Sequence, residues 1–331
     1  MEQELNRKTM VIGHRNPDTD SICSAICYAN LKQAVTGEEY MPARAGHVNG
    51  ETQFVLDYFG AEEPQLVEDV RTQVRDIEIR KTKGVDRGIS LKTAWSLMQE
   101  NNVVTIPCVT EEGVLEGVIT IGDITKSYMN LYDSSIISKA NTKYSNILDT
   151  LEGSIVVGDA EAYFDKGKVL IAAANPDLME NYIEKHDLVI LGNRYESQLC
   201  AIEMEAGCII VCEGAGVSLT IRKLAQERGC TVITTPYDTY TTARLINQSM
   251  PISYFMTMEN IIGFSDEDPI DDIRDIMANK RHRDFPILDS DGKYLGMISR
   301  RNLLGAKGKH IILVDHNERT QAVEGIETAD I

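Results

Sequence analysis

The chain opens with a short apolar run, Met10-Val11-Ile12, followed by a polar loop and then a long stretch of helical periodicity from Ser21 to about Val35. Apolar positions that alternate or run together for a few residues mark strands, and those recurring every three to four residues mark helices. The order is therefore strand, loop, helix, and a second strand from Tyr40 to Ala45 with a helix ending near Phe59-Gly60 continues it. Alternation of this kind predicts the opening of a doubly wound α/β domain. A further buried-type strand, Ile311-Ile312-Leu313-Val314, arrives only about 240 residues later, so a large insertion is predicted between them.

Within the insertion a pattern recurs at a fixed offset of 179 residues. Leu97-Met98 falls on Ile276-Met277, Ile106-Pro107 on Phe285-Pro286, and Glu112-Gly113 on Asp291-Gly292. Gly117-Val118-Ile119-Thr120 falls on Gly296-Met297-Ile298-Ser299, and Asp123-Ile124 on Asn302-Leu303. Each copy reads as helix, strand, acidic-glycine hairpin, strand, helix. The pattern resembles the cystathionine-β-synthase-type (CBS) domain, two of which normally assemble as one module. That resemblance implies adenine nucleotide binding (AMP, ADP or ATP) through Thr120 and Asp123 in the first copy and Ser299 and Asn302 in the second. A hydroxyl at a helix N-terminus, three residues before a carboxylate or amide, can face phosphate and ribose together. The same spacing also describes an ordinary helix cap.

Between the copies, Val169–Ala172, Leu188–Leu191, Cys208–Val211 and Thr231–Thr234 are four apolar runs separated by helical patterns, which predicts a mostly parallel sheet. The segment from Thr235-Pro236-Tyr237-Asp238-Thr239 to Ile246-Asn247-Gln248 resembles the DRTGG domain. Gly214-Ala215-Gly216 lacks the third glycine of a dinucleotide fingerprint and reads as a tight strand-to-helix turn.

Charge narrows the chemistry. The 331 residues carry a net charge of −18, and such a surface repels nucleic acid. An acidic protein still takes a phosphate substrate where metal ions supply the local positive charge. Met1-Glu2-Gln3-Glu4 opens the sequence without an apolar targeting segment, no apolar run approaches a membrane span, and a cytoplasmic protein is expected. The seven cysteines form no C-x-x-C pair and are expected to be buried, reduced thiols. Of the remaining candidates, His282 lies in the basic run Lys280-Arg281-His282-Arg283, His47 is expected to be structural, and His186 to lie at the surface.

The loop Gly13-His14-Arg15-Asn16-Pro17-Asp18-Thr19-Asp20 concentrates an imidazole and two carboxylates at the carboxyl end of a strand, where open α/β sheets bind ligands. Asn16-Pro17 fixes a turn, and Thr19 or Asp20 is expected to cap the helix. One nitrogen and two oxygen donors suit Mn²⁺, Fe²⁺ or Co²⁺ better than a structural zinc. This loop, together with Gly46-His47-Val48-Asn49-Gly50-Glu51-Thr52-Gln53 and Val314-Asp315-His316-Asn317-Glu318, resembles family II inorganic pyrophosphatases, the manganese-dependent members of the DHH phosphoesterase superfamily. The resemblance implies that His14 and Asp18 bind one metal, Asp20 the other, and that Asp315 bridges them. It further implies two Mn²⁺ or Co²⁺ ions per site, Mg²⁺ with the pyrophosphate substrate, and a homodimer through the CBS modules. The family's Asp-His-His motif is absent from this sequence.

The expected organisation is a partial DHH-type domain in residues 1–65 and 307–331, CBS copies at 66–130 and 248–306, and a DRTGG-like α/β domain at 131–247. Ile331 falls where a further strand is expected, so a truncated and weakly active or inactive pyrophosphatase is anticipated. Two other readings stay open: a DHH-type phosphoesterase acting on small nucleotides, and a catalytically dead nucleotide sensor.

Overall fold

The computed structural model describes residues 9–67, 69–129, 133–304, 306 and 309–314. The chain divides into two compact units. One comprises Met1–Arg80, Gly263–Asp289 and Met297–Ile331, and the other Lys81–Ile262 and Ser290–Gly296.

The first unit begins with β1 (Thr9–Ile12), α1 (Thr19–Thr36), β2 (Tyr40–Arg44), α2 (Gly50–Phe59) and β3 (Gln65–Leu66). β1 pairs in parallel with β2, and β2 with β3. Both helices start on a side-chain cap and stop at a left-handed glycine, Gly37 after α1 and Gly60 after α2. The cap of α1 is Asp18, not Thr19 or Asp20. Asp18 is extended (φ −90°, ψ −179°), so its Oδ1 accepts the Ser21 N–H at 2.9 Å, whereas Thr19 is already helical. Ala25 and Ala29 of α1 are buried with Val11 of β1 on one face of the sheet. Ile12, Ala43 and Val70 form a cluster of their own.

The second unit contains α3 (Leu91–Glu100), β4 (Thr105–Val109), β5 (Leu115–Thr120) and α4 (Ile121–Met129). β4 and β5 form an antiparallel hairpin with Thr105 opposite Thr120, turning at Gly113, whose φ of 86° a side chain would resist. There follow α5 (Ile136–Lys139), β6 (Thr142–Lys143), α6 (Tyr144–Leu151), β7 (Ser154–Val157) and β8 (Tyr163–Phe164). Next come β9 (Val169–Ile171), α7 (Pro176–Met179), β10 (Leu188–Leu191), α8 (Tyr195–Glu203), β11 (Cys208–Val211), α9 (Leu219–Arg228), β12 (Thr231–Thr234) and α10 (Thr239–Leu245). β6 and β8 pair with each other.

The five-stranded sheet runs β7-β12-β11-β10-β9 and is parallel except for β7, which lies antiparallel to β12 at the edge. Its central runs are continuously apolar because both faces are covered. Val189, Leu191, Ile209, Val211 and Val232 share a core with Ala201, Ile221 and Ala225 of α8 and α9. Leu188, Ile190, Cys208, Ile210 and Ile233 belong to a core that also holds Leu91, Met98, Ile106 and Ile119 of the first repeat copy. The hairpin copy and the α/β sheet are thus built on one continuous core.

The chain then adds β13 (Phe264–Ser265), α11 (Ile270–Ala278), β14 (Asp284–Leu288), β15 (Tyr294–Ser299) and α12 (Arg300–Leu304), with sheet order β13-β14-β15. Gly292 repeats the positive φ of Gly113, at 78°. β16 (Ile311–Leu313) returns to the first sheet parallel to β1, with Met10 opposite Ile311 and Ile12 opposite Leu313. The full order is β16-β1-β2-β3, so the winding direction reverses at β1.

Within this unit, Thr72 ties the second repeat copy to the returning strand. Its carbonyl accepts the Ile270 N–H at 2.9 Å and its hydroxyl accepts the Lys309 N–H at 3.2 Å. Arg71 pairs with Asp272 at 3.3 Å and with Asp69 at 2.8 Å, and Lys309 pairs with Asp76 at 2.9 Å.

All seven cysteines are free and five are buried; burial pushes the Cys108 thiol up to about 12, leaving it unreactive. Cys23 is half-buried and Cys27 exposed, which corrects the expectation that every thiol would be buried. Among the described residues no helix is long and apolar enough to cross a membrane.

The shared core of the second unit makes a direct prediction. Ile210, fully buried, is expected to cost about 2–5 kcal/mol on replacement by alanine. Denaturant unfolding of Ile210→Ala should show one cooperative transition shifted to lower midpoint, followed equally by the lone Trp95 of the repeat copy and by far-ultraviolet circular dichroism. Two separate transitions would refute a single core.

Candidate functional site

The reversal at β1 is a topological switch point, and ligands in open α/β sheets bind beyond the carboxyl ends of the strands there. The His14–Asp20 loop leaves β1 at that place. A Cβ built on Gly13 would lie 1.9 Å from Ser21 Oγ, so a side chain there would have to displace that hydroxyl. The neighbouring Gly46-His47-Val48-Asn49 loop closes against the first. A Cβ on Gly46 would meet the Arg15 carbonyl and Pro17 Cδ, each at 2.7 Å, and the Thr19 and Thr52 hydroxyls hydrogen-bond at 3.0 Å. The two helix N-termini are therefore held side by side. Asn49 caps α2 through the Thr52 N–H at 2.8 Å. Asn49 and Thr52 were not singled out as site residues; the Asn-x-x-Thr spacing ahead of a helix was the available signal.

His14 Nε2 lies 3.5 Å from Asp18 Oδ1. Asp18 is therefore both helix cap and partner of the imidazole. Asp20 lies in the first turn of α1. Val314 donates its N–H to the Ile12 carbonyl at 2.9 Å, which sets β16 alongside the base of the loop. Asp315, the next residue, lies outside the described residues. Among the described residues no group of three or more His, Cys, Asp or Glu side chains is close enough to hold a metal ion. The donors at hand fit a divalent transition metal in kind: a half-buried imidazole, an adjacent carboxylate, and a second carboxylate one step along the helix. The Ser21 hydroxyl beneath the loop is buried with no hydrogen-bond partner among the described residues.

The repeat copies carry matching polar pairs. In the first, the Thr120 hydroxyl donates to Asp123 Oδ2 at 2.7 Å, and the Asp123 N–H donates to Thr120 Oγ1 at 3.2 Å. In the second, the Ser299 hydroxyl donates to Asn302 Oδ1 at 2.8 Å, while Asn302 Nδ2 donates to the Glu78 carbonyl at 3.1 Å. Each hydroxyl thus engages its own acid or amide at the start of α4 and of α12, and in the first copy the cap is reciprocal. The pairs are half-buried. Lys280, Arg281, His282 and Arg283 are all exposed just before β14. Arg80 Nη2 donates to Asp284 Oδ1 at 3.0 Å; neither residue was anticipated, although the 179-residue offset carries Thr105 onto Asp284.

Other candidates recede. Glu213 and Gly214 both adopt positive φ before the Ser218-capped α9, as a tight turn requires. His47 is exposed, and His186 is exposed at a left-handed turn. A cleft of about 460 Å³ lined by Tyr128, Tyr240, Arg244 and Gln248 lies at the far end of α4 from Thr120.

Known proteins share this layout. Residues 74–130 and 253–309 match the CBS domain family, and residues 146–249 match the DRTGG domain family. A cobalt-dependent inorganic pyrophosphatase of Clostridium perfringens is 39% identical over 321 residues, covering 97% of this chain and 58% of that protein. A probable manganese-dependent inorganic pyrophosphatase of Thermotoga maritima is 32% identical over 98% of this chain and 59% of its own length. The chain thus spans a little over half the length of the curated relatives it matches. The crystal structure of the CBS and DRTGG domains of the regulatory region of the Clostridium perfringens pyrophosphatase, complexed with its activator diadenosine tetraphosphate, superposes with a TM-score of 0.66 at 35% identity. The match covers 70% of this chain and 100% of that one.

The double duty of Asp18 separates its two roles experimentally. Asn is as good a helix cap as Asp, whereas Ala loses about 0.5–2 kcal/mol. Asp18→Asn should therefore keep the melting temperature and lose Mn²⁺ binding, while Asp18→Ala loses both. Unchanged Mn²⁺ affinity in both variants, measured by electron paramagnetic resonance of the free ion, would leave Asp18 a cap alone.

Proposed function

Because the chain belongs to the metal-dependent inorganic pyrophosphatases that carry CBS and DRTGG domains, we propose that it combines the nucleotide-sensing region of such an enzyme with one part of its metal site. The reaction served is hydrolysis of pyrophosphate to two phosphates. His14, Asp18, Asp20 and Asp315 would hold a pair of Mn²⁺ or Co²⁺ ions, with His14 and Asp18 serving one ion and Asp20 the other. When bound, such a pair lowers the pKa of a shared water and neutralises phosphoryl charge, with Mg²⁺ accompanying the substrate. The residues themselves contribute an imidazole from the loop and carboxylates at the N-terminus of α1. The observation that carries this reading is the 35% identity over the whole of a regulatory region with a nucleotide activator.

Adenine nucleotide is the proposed effector, with Thr120 and Asp123 serving one copy and Ser299 and Asn302 the other. Ligand phosphate and ribose would take over the hydroxyl and the acid or amide that now satisfy each other. The exposed run Lys280–Arg283 offsets the overall charge of −18 for an anionic ligand. AMP or ADP is favoured by net charge, and this basic run admits a longer polyphosphate such as the relative's activator. The second copy reaches the metal-loop sheet through Thr72, whose two hydrogen bonds join α11 to the segment entering β16. Nucleotide that favours one arrangement of this tie would alter the metal loop. A homodimer formed through the CBS copies and a cytoplasmic location complete the reading.

Isothermal titration of the chain with AMP, ADP, ATP and diadenosine tetraphosphate is the direct test. At least one is expected to bind, and Asp123→Ala to weaken it by about tenfold or more, since hydrogen bonds to a charged group carry that much. No heat with any of them would refute nucleotide sensing. The Asp-His-His motif is absent, so the 331-residue chain with Mn²⁺ is expected to hydrolyse little or no pyrophosphate. Robust turnover would contradict the ligand set proposed here.

A further inference from the structure

The two repeat copies differ in one cross-strand polar pair. In the first, Thr105 and Thr120 are direct cross-strand partners, so their side chains project from the same face of the hairpin. The 179-residue offset carries this pair onto Asp284 and Ser299, on the adjacent strands β14 and β15. The second copy therefore sets a carboxylate beside its serine hydroxyl where the first sets a second hydroxyl.

Asp284 is unusual in its surroundings. Its side chain is 4% exposed, and Oδ1 accepts from Arg80 at 3.0 Å. Oδ2 is buried with no hydrogen-bond partner among the described residues. A carboxylate oxygen left unmade in the interior costs free energy that a donor would recover. Arg80 is 36% exposed and extends from a segment whose backbone bridges Met297 of β15, two residues from Ser299. The structure thus holds a buried acceptor short of one donor, on the strand next to Ser299, with the partly exposed Arg80 guanidinium on its other oxygen.

We propose that Asp284 is the base-selecting residue of the second copy. It accepts a hydrogen bond from the exocyclic 6-amino group of an adenine, while the ligand phosphate draws the Arg80 guanidinium away. The exchange leaves both charged groups partnered: phosphate replaces carboxylate on Arg80, and the amine enters the position that Oδ2 holds open. A 6-oxo purine presents an acceptor to the same carboxylate and is repelled. The first copy, with Thr105 in this place, can donate or accept and makes no such distinction. This inference rests on the nucleotide-sensing reading and adds which base the second copy admits.

Paired titrations of the full chain with AMP and IMP test it, in the native protein and in Asp284→Asn. The asparagine keeps the size of the side chain and an oxygen for Arg80, and its melting temperature reports whether the fold survives. The native chain should prefer AMP over IMP by about tenfold or more, as for a hydrogen bond to a buried charge. Asp284→Asn, which can donate to O6, should bring the AMP-to-IMP ratio near or below one. An unchanged ratio in a folded Asp284→Asn, with AMP still binding, overturns the role of Asp284 while nucleotide sensing stands. Failure of the native chain to bind either nucleotide overturns both.

Discussion

The parallel pairing of β1 with β16 is the constraint on which the rest depends. It joins residues about 300 positions apart in three register pairs at a spacing of about 4.8 Å. Everything between must leave the first sheet after β3 and return to the far side of β1. That return reverses the winding order, and the reversal places the His14–Asp20 loop at the switch point. It also brings the segment preceding Asp315 to the base of that loop. Without it, α1 and its capped N-terminus would be an ordinary edge of a three-stranded sheet.

The same constraint explains why most of the second repeat copy belongs with the β16-β1-β2-β3 sheet in one compact unit. The copy is flanked on one side by the 66–80 segment and on the other by β16. Thr72 binds to both neighbours through one carbonyl and one hydroxyl, and Arg71 and Lys309 add ion pairs to Asp272 and Asp76. These half-exposed pairs are each weak, and their value is geometric. They limit the positions that the entering and leaving segments can take relative to each other. A change at Ser299 or Asn302 is therefore only a few residues along the chain from β16, the strand beside the His14–Asp20 loop.

Most of this was legible in the sequence, for identifiable reasons. The repeat was visible because each copy must place a glycine at positive φ in its hairpin and a hydroxyl at the start of its last helix. The offset therefore has to be exact in register. Three strands of the central sheet, β10 to β12, were visible because burial on both faces leaves them nearly unbroken apolar runs, and β9 was visible as an apolar run although it is a partly exposed edge. β7 was missed because its apolar part, Ile-Val-Val, is only three residues long and follows Glu152-Gly153-Ser154 directly after α6, where it reads as the end of the helix pattern. The helix cap was placed one or two residues late, since Asp18, Thr19 and Asp20 are all good caps and only the backbone angle chooses between them. Cys23 and Cys27 were expected inside because periodicity does not say which helical face a flanking element covers. The Asp284–Arg80 pair joins residues 204 apart, and nothing local in either stretch announces it.

The central claim is that nucleotide and metal are felt by one another across the first unit. Linkage makes this measurable without turnover, because any coupling between two binding sites is reciprocal. Mn²⁺ affinity should be measured by electron paramagnetic resonance in the absence and presence of saturating AMP, and AMP affinity by calorimetry with and without Mn²⁺. The account predicts that each ligand shifts the other by the same factor, in the range of about 5–150. Binding of both ligands with each affinity unaffected by the other would contradict it.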